Sequence, residues 1–259
     1  MAKVMALAAG VRTGCEGCLD GQAFTIPFSM AFQPIVDIES GGPFAYEALA
    51  RGSEDEPAAS VLDRVDDGNR YAFDQACRVK AIETSLAAGL LQTDARLSIN
   101  FMPNAIYSPL ACVQLTLKTA AATGFPLDRL MFEFTEQEHM ESYDHVGAII
   151  QTYRSLGFTV AIDDFGAGHS GLDRLARFPS DIIKLDMELV RGIDADPRRR
   201  AIVDAIAGLC CDLDTLLIAE GIETPSEAET LADLGVRYMQ GFLFARPAFE
   251  RLPEIQFRL

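Results

Sequence analysis

FSMAFQPIVDIESGGPFAYEALAR, residues 28–51, decides how the chain is folded. Two β-prone runs, FSMAFQPIVDI and FAYEALAR, flank the link Glu39-Ser40-Gly41-Gly42. Parallel pairing needs a crossover of a dozen or more residues, and this link is far shorter. The two runs therefore read as an antiparallel hairpin. Beyond it, RLSINFMP, RLMFEFTE, FTVAIDDF, DIIKLD, TLLIAEGIE and RYMQGFLFA are further strand candidates. Between them lie amphipathic stretches such as NRYAFDQACRVKAIETSLAAG, HVGAIIQTYRSLG, PRRRAIVDAIAGLCCDL and PSEAETLADLG. Several close on a glycine just before the next strand, as helix C-termini do. Eight strands with intervening helices imply an α/β protein with a TIM-type (β/α)8 barrel. The hairpin modifies it, leaving the first strand antiparallel. Residues 1–24 carry glycines and weak periodicity, and read as a flexible leader or docking arm. Residues 25–259 form the barrel domain.

Composition narrows the function classes. The chain has 259 residues, 49% of them hydrophobic, enough for one large core. Its formal net charge of −16 is poor electrostatics for DNA, RNA or an anionic membrane. A small anionic ligand bound through metal ions stays open. No apolar run reaches the roughly 20 residues of a membrane span, and MAKVMALAAG is a weak match to a signal peptide. The protein reads as cytoplasmic. Of six cysteines, Cys77, Cys112, Cys210 and Cys211 sit in apolar or helix-like segments and read as small core residues. Cys15 and Cys18 form a lone C-x-x-C, with no second pair to complete a zinc site. Arg198-Arg199-Arg200 follows Asp-Pro and reads as a solvated helix start, and IVDAIAGLCCDL reads as a core-facing stripe.

In such barrels the chemistry sits at the C-terminal strand ends. Reading those ends gives Glu47, Asn100, Glu133 with Glu136, Asp163 with Asp164, Lys184 with Asp186, Glu220 with Glu223, and Gln240. One acid at a strand end serves well as a helix cap or surface residue. Seven strands in succession delivering a polar group are not explained that way. The adjacent pair Asp163-Asp164 is the sharpest case, because desolvated like charges need a counter-charge or a proton. Carboxylate and amide oxygens suit Mg²⁺ or Mn²⁺, and no His or Cys cluster favours a softer metal. His139, His145 and His169 make no ligand pattern. Two metals about 4 Å apart, sharing an activated water and clamping the phosphate, are a recurrent device for phosphodiester hydrolysis. Lys184, the lone cation of the set, is placed to hold the water or stabilise developing charge. Its alternative is an ion pair with a neighbouring acid.

Taken in order, FQPIVD, EALAR, SINF, FEFTE, IDDFGAG, IIKLD, AEGIET and QGFLFARP resemble the EAL domain family of bacterial cyclic-di-GMP phosphodiesterases. The likeness runs from about Phe28 to Pro247, and the eponymous triplet is Glu47-Ala48-Leu49. It implies a barrel with an antiparallel first strand and hydrolysis of cyclic di-GMP to linear pGpG with two Mg²⁺ or Mn²⁺ ions. By motif, Glu47, Asn100, Glu133 and Asp163 look like ligands of one metal, with Asp163 bridging to a second that Asp164 helps to hold. Glu220 and Gln240 look like outer parts of the cluster, reaching it directly or through water. Lys184 resembles the lysine that contacts the nucleophilic water, and Glu136 the glutamate that steadies the loop after IDDF. Glu223 and Asp186 look like supporting residues. Gln33, Arg51 and Pro247 match positions that contact the ligand's base or phosphate. The family also implies a homodimer. The loop DDFGAGHSGL departs from the commoner pattern at Ala167, His169 and Gly171, which bears on rate or regulation. The alternative is a catalytically silent cyclic-di-GMP receptor or docking module. A metal-dependent lyase on the same barrel would not explain the whole motif order.

Overall fold

The computed structural model describes residues 24–135, 142–168 and 171–257. The expected hairpin is present. Strand β1 (Phe28–Asp37) pairs antiparallel with β2 (Gly42–Gly52), from Phe28 opposite Gly52 to Asp37 opposite Gly42. The turn closes through Gly41 N–H to the Asp37 carbonyl at 2.8 Å. From β2 onward each strand lies parallel to the one before it: β3 (Arg96–Asn100), β4 (Leu130–Thr135), β5 (Thr159–Phe165), β6 (Ile182–Leu185), β7 (Leu216–Ala219) and β8 (Tyr238–Met239). β8 returns to β1 as an antiparallel pair and closes an eight-stranded barrel. A short β9 (Ala248–Phe249) adds to β1 from outside that ring.

Helices cover the crossovers, as parallel pairing demands. The main ones are α1 (Arg70–Ala87), α2 (Gln114–Thr123), α3 (Tyr143–Ser155), α4 (Gly171–Arg177), α5 (Pro197–Asp212) and α6 (Pro225–Asp233). Three of their starts are set by side chains that accept otherwise orphaned backbone donors. Ser142 caps α3, Asp196 caps α5, and Thr224 with Glu227 forms a reciprocal capping box on α6. On α1 the spacing of Phe73, Cys77 and Ala81 places one stripe against the barrel, and all three are buried.

Two of the smaller expectations are corrected. Cys77, Cys112 and Cys210 are buried, but Cys211 is exposed. One position along a helix rotates a side chain by about 100°, so adjacent cysteines cannot share a face. The α5 stripe is accordingly narrow: Val203 and Cys210 are buried, while Ile202 faces solvent. Arg198 and Arg200 are exposed at the start of α5, as expected of a solvated helix start. Cys15, Cys18, His139, His169, Glu136 and the expected leader up to residue 23 lie outside the described residues. Phe24, the last residue of that leader, packs its ring on Phe28 and Phe73. Among the described residues, no helix is long and apolar enough to cross a membrane.

The barrel interior is layered by the period of two along its strands. A buried apolar layer is built by Ile35, Ala45, Met131, Ala161, Ile182 and Ile218. Two residues further toward the C-terminal mouth, on the same face of each parallel strand, come Glu47, Glu133, Asp163, Lys184 and Glu220. On antiparallel β1 the step runs the other way, from Ile35 to Gln33. The apolar plug forms the floor and the polar layer stands on it.

Candidate active site

Lys184 is the centre of that polar layer. It is 1% exposed, and its Nζ lies 2.7 Å from Glu220 Oε1, 3.0 Å from Asp163 Oδ1, 3.1 Å from Glu133 Oε2 and 3.5 Å from Glu47 Oε2. Asn100 donates from Nδ2 to Glu47 Oε1 (3.0 Å) and Glu133 Oε1 (3.1 Å). Gln240 Nε2 donates to Glu47 Oε2 (2.8 Å) and Gln33 Oε1 (3.3 Å). Gln33 in turn donates to the Ala245 carbonyl. Glu47, Asn100, Glu133, Asp163, Lys184, Glu220, Gln240 and Gln33, far apart in sequence, thus form one contiguous network.

Asp164 raises a geometric problem. Successive side chains on a strand point to opposite faces, so Asp163 and Asp164 should not reach one site. The structure solves this with a bulge. The β5–β6 ladder breaks after Ile162 and resumes at Phe165 opposite Leu185, and Asp164 takes a left-handed φ of 54°. Bulges re-aim side chains in this way, and Asp is among the few non-glycine residues that tolerate that conformation. As a result, ligand oxygens of Asp163, Asp164 and Glu220 lie within 4.8 Å of one another. The next turn depends on Gly166 (φ 100°), where a Cβ would stand 2.5 Å from Leu189 Cδ1.

The cluster is short of positive charge. Two carboxylates about 5 Å apart repel by about 3 kcal/mol at an effective dielectric of 20. Five carboxylates here share one ammonium. Burial, then Asp163, pushes Glu220 well above the ordinary carboxylate range. Burial does the same to Glu133 against the pull of Lys184. Burial and the neighbouring Asp163 lift Asp164 to about 6. Burial also opposes the charge on Glu47, but Lys184 and hydrogen bonds from Glu133, Gln240 and Asn100 outweigh it and hold that carboxyl below the usual range. Burial disfavours the Lys184 ammonium, yet Asp163, Glu133, Glu220 and Glu47 together drive its pKa well above normal. The donor set is all oxygen, and the buried Asp163 Oδ1 has no hydrogen bond despite its closeness to Nζ. These residues fit a hard divalent cation.

The remaining candidates stand further out. Asp186 caps the short turn Met187–Val190 through Glu188 N–H (2.8 Å) and lines the hollow above the cluster. Glu223, at the rim of the same hollow, is exposed and pairs with Arg191 at 3.3 Å. That hollow holds about 310 Å³ and includes Met187 and Phe242 among its walls. Arg51 lines a second hollow of about 650 Å³, which borders Asn100 and is walled by Leu49, Phe73 and Met102. Pro247 is half-buried and belongs to the lining of neither. Sequence reasoning missed Ser98, whose Oγ donates to Glu133 Oε2 at 2.7 Å. Its position two residues before Asn100, on the same strand face, was the available signal. It also missed Glu227, which accepts from the Gly192, Glu223 and Thr224 amides and so ties the loop after β7.

The EAL domain family model matches residues 25–247. The blue light- and temperature-regulated antirepressor BluF of Escherichia coli (strain K12) is 34% identical over 247 residues, which is 95% of this chain and 61% of BluF. The cyclic di-GMP phosphodiesterase RocR of Pseudomonas aeruginosa is 32% identical over 232 residues, 86% of this chain and 58% of RocR. The chain thus spans less than two thirds of either relative. Among solved structures, a standalone versatile EAL protein from Vibrio cholerae O395 in its c-di-GMP bound form superposes with a TM-score of 0.86. It is 48% identical, and the match covers 90% of this chain and 98% of that one. The manganese/cyclic-diGMP complex of Klebsiella pneumoniae BlrP1 at pH 9.0 gives 0.83 at 34% identity, covering 90% of this chain and 59% of BlrP1.

Proposed function

The chain belongs to the EAL domain family, and from that premise we propose that it is a phosphodiesterase that hydrolyses cyclic di-GMP to linear pGpG with two Mg²⁺ or Mn²⁺ ions. The observation that carries this reading is the set of five carboxylates, three of them buried and four of them within 3.5 Å of one ammonium. Fully ionised, as ligation requires, the set carries four excess negative charges, which two divalent cations would balance. Glu47, Asn100, Glu133 and Asp163 would hold one ion. Asp163, Asp164 and Glu220 would hold the other, with Gln240 beside them. When bound, the ions supply an activated water and neutralise charge on the phosphodiester.

The chain's own groups then have defined tasks. Lys184 is a permanent ammonium, so it donates hydrogen bonds toward the attacking water and the phosphate oxygens and accepts no proton. Gln33 and Gln240 hold the Glu47 side of the cluster in place through their mutual hydrogen bond. Arg51 offers a cation for a phosphate from the larger hollow, and Phe242 and Met187 offer apolar faces for a base from the smaller one. Asp186 and Glu223 act from the rim. The reading is of a cytoplasmic homodimer. Sedimentation of a fully active monomer would remove the dimer from it.

Product analysis tests the reaction. The protein, incubated with cyclic di-GMP and Mn²⁺, is expected to release pGpG, and chelator is expected to stop it. A nucleotide that binds but stays intact would favour a silent receptor or docking module. The 34% identity to an antirepressor gives that second reading its specific support.

The pH dependence of metal binding has a definite sign. Asp164 must lose its proton to ligate, and it titrates at about 6 in the metal-free protein. Mn²⁺ affinity should therefore fall as pH drops, by at least about tenfold per pH unit below about 6, and Glu133 and Glu220, both pushed above the usual carboxylate range, extend the decline above that pH. Calorimetric titrations at about pH 5 and about pH 8 check this. Equal affinity at both would show that Asp164 is not a ligand.

A further inference from the structure

Helix α1 carries a charge pair that the cluster does not use. Asp74 and Arg78 lie one turn apart on the buried face of the helix, with side chains 1% and 0% exposed and Arg78 Nη2 2.8 Å from Asp74 Oδ2. Burying two charges is costly, and apolar residues of similar volume would pack as well. What the pair touches accounts for its presence. Asp74 Oδ1 accepts the Met102 backbone N–H at 3.0 Å, two residues beyond Asn100. The Phe101 N–H donates to the Glu133 carbonyl at 2.9 Å. The two amides that follow Asn100 are thus pinned in turn, one to β4 and one to α1.

Arg78 grips the same place from behind. Its guanidinium lies 5.7 Å from the Phe101 ring centroid and 5.2 Å from that of Phe132. These rings belong to the residue after Asn100 and the residue before Glu133. Arg78 Nη1 also donates to Tyr153 Oη at 2.5 Å, which fixes the fork. Asn100 itself is exposed, so the aim of its amide depends on the backbone that carries it.

We propose that the Asp74–Arg78 pair is a positioning device for the carboxylate cluster: it holds the Met102 amide and thereby aims Asn100 at Glu47 and Glu133. Its effect on rate rests on the hydrolytic reading above. Its structural half is independent of that reading and is visible in the metal-free protein.

Removing one partner alone would leave an unpaired buried charge, so both are exchanged together. In Asp74→Asn/Arg78→Met, both charges go but an acceptor for Met102 N–H remains. The Gln75 amide, 3.2 Å from Asp74 Oδ2, can turn its carbonyl to accept from the new Asn. In Asp74→Leu/Arg78→Met, the acceptor goes as well. The Leu variant is expected to show kcat at least tenfold below the Asn variant, with the same KM and a melting temperature a few degrees lower, roughly as one lost hydrogen bond gives. It should also bind Mn²⁺ several-fold more weakly. By NMR without metal, its Met102 amide should exchange faster, and the two Asn100 Nδ2 protons should move toward the shifts of a solvent-exposed asparagine amide. Equal kcat, Mn²⁺ affinity and amide signals in two folded variants would overturn the proposal. If the wild type hydrolyses nothing, the hydrolytic reading falls alone, and the amide signals still decide the positioning role. If the Leu variant does not fold, the wild type decides it: a Met102 amide that exchanges as fast as an open loop overturns the proposal.

Discussion

A Lys184→Met variant is expected to lose about 10²–10³-fold in kcat on cyclic di-GMP, the usual cost of removing one preorganised electrostatic donor, while KM changes little. The reason lies in what the ammonium touches. It stands within 3.5 Å of four carboxylates and is almost fully enclosed. Methionine fills the same volume and supplies no charge. The metal-free variant should also melt lower, because Glu47, Glu133, Asp163 and Glu220 lose their shared counter-charge. Added Mn²⁺ should then raise its melting temperature by more than it raises that of the wild type. The pH dependence separates two roles for the lysine. Its folded pKa is raised, so its contribution to stability is complete below the unfolded value of about 10.4 and is lost only as pH climbs through the folded value. Lys184 therefore contributes no titration near neutrality. A basic limb of the pH–rate profile near pH 7 that vanished in the variant would mean a neutral amine acting as a base, and would contradict the assignment.

Glu47→Ala is expected to abolish detectable hydrolysis and to weaken Mn²⁺ binding by at least tenfold, with the fold retained. Glu47 is the carboxylate that the site holds most firmly in its charged form. Lys184, Asn100 and Gln240 all converge on it. Its neighbours Glu133 and Glu220 are instead pushed toward holding protons. Glu47 is therefore the group already ionised for ligation before a metal arrives. Asn100 keeps Glu133, and Gln240 keeps Gln33, as hydrogen-bond partners in the variant, so the loss of stability is limited. Glu47→Gln separates charge from shape. It preserves the side-chain length and one acceptor oxygen but removes the anion. Activity and Mn²⁺ affinity should fall nearly as far as in the alanine variant. Near-wild-type turnover in Glu47→Gln would end the assignment of Glu47 as a ligand.

Much of this was legible before any coordinates. A short link between two strand-like runs forces antiparallel pairing, and that is the arrangement of β1 and β2. Helical runs closing on Gly89, Gly157 and Gly235 mark where chains turn back into the barrel, and all three glycines have positive φ. The polar residues at the strand ends could be named because alternation along a strand is a local property. Cys211 was misread because the helical phase of two adjacent residues is decided by which face packs. Asp74 and Arg78 have the i, i+4 spacing of an ordinary pair on a helix surface, and nothing nearby in sequence says that α1 buries that face. Glu136 was named from its motif and lies outside the described residues.

The sequence by itself determined the element order, the antiparallel first strand, the oxygen-rich chemistry of the strand ends and the shortage of cations among them. These follow from short-range rules: link length, period and residue type. Only the tertiary structure decided that Lys184 sits among four carboxylates drawn from four different strands, since that depends on barrel closure and register. Only it decided that Asp164 faces the same site as Asp163. A regular strand would send the two apart. A bulge against β6 and one left-handed residue bring them together, and a ladder interruption is written in the partner strand as much as in the strand itself.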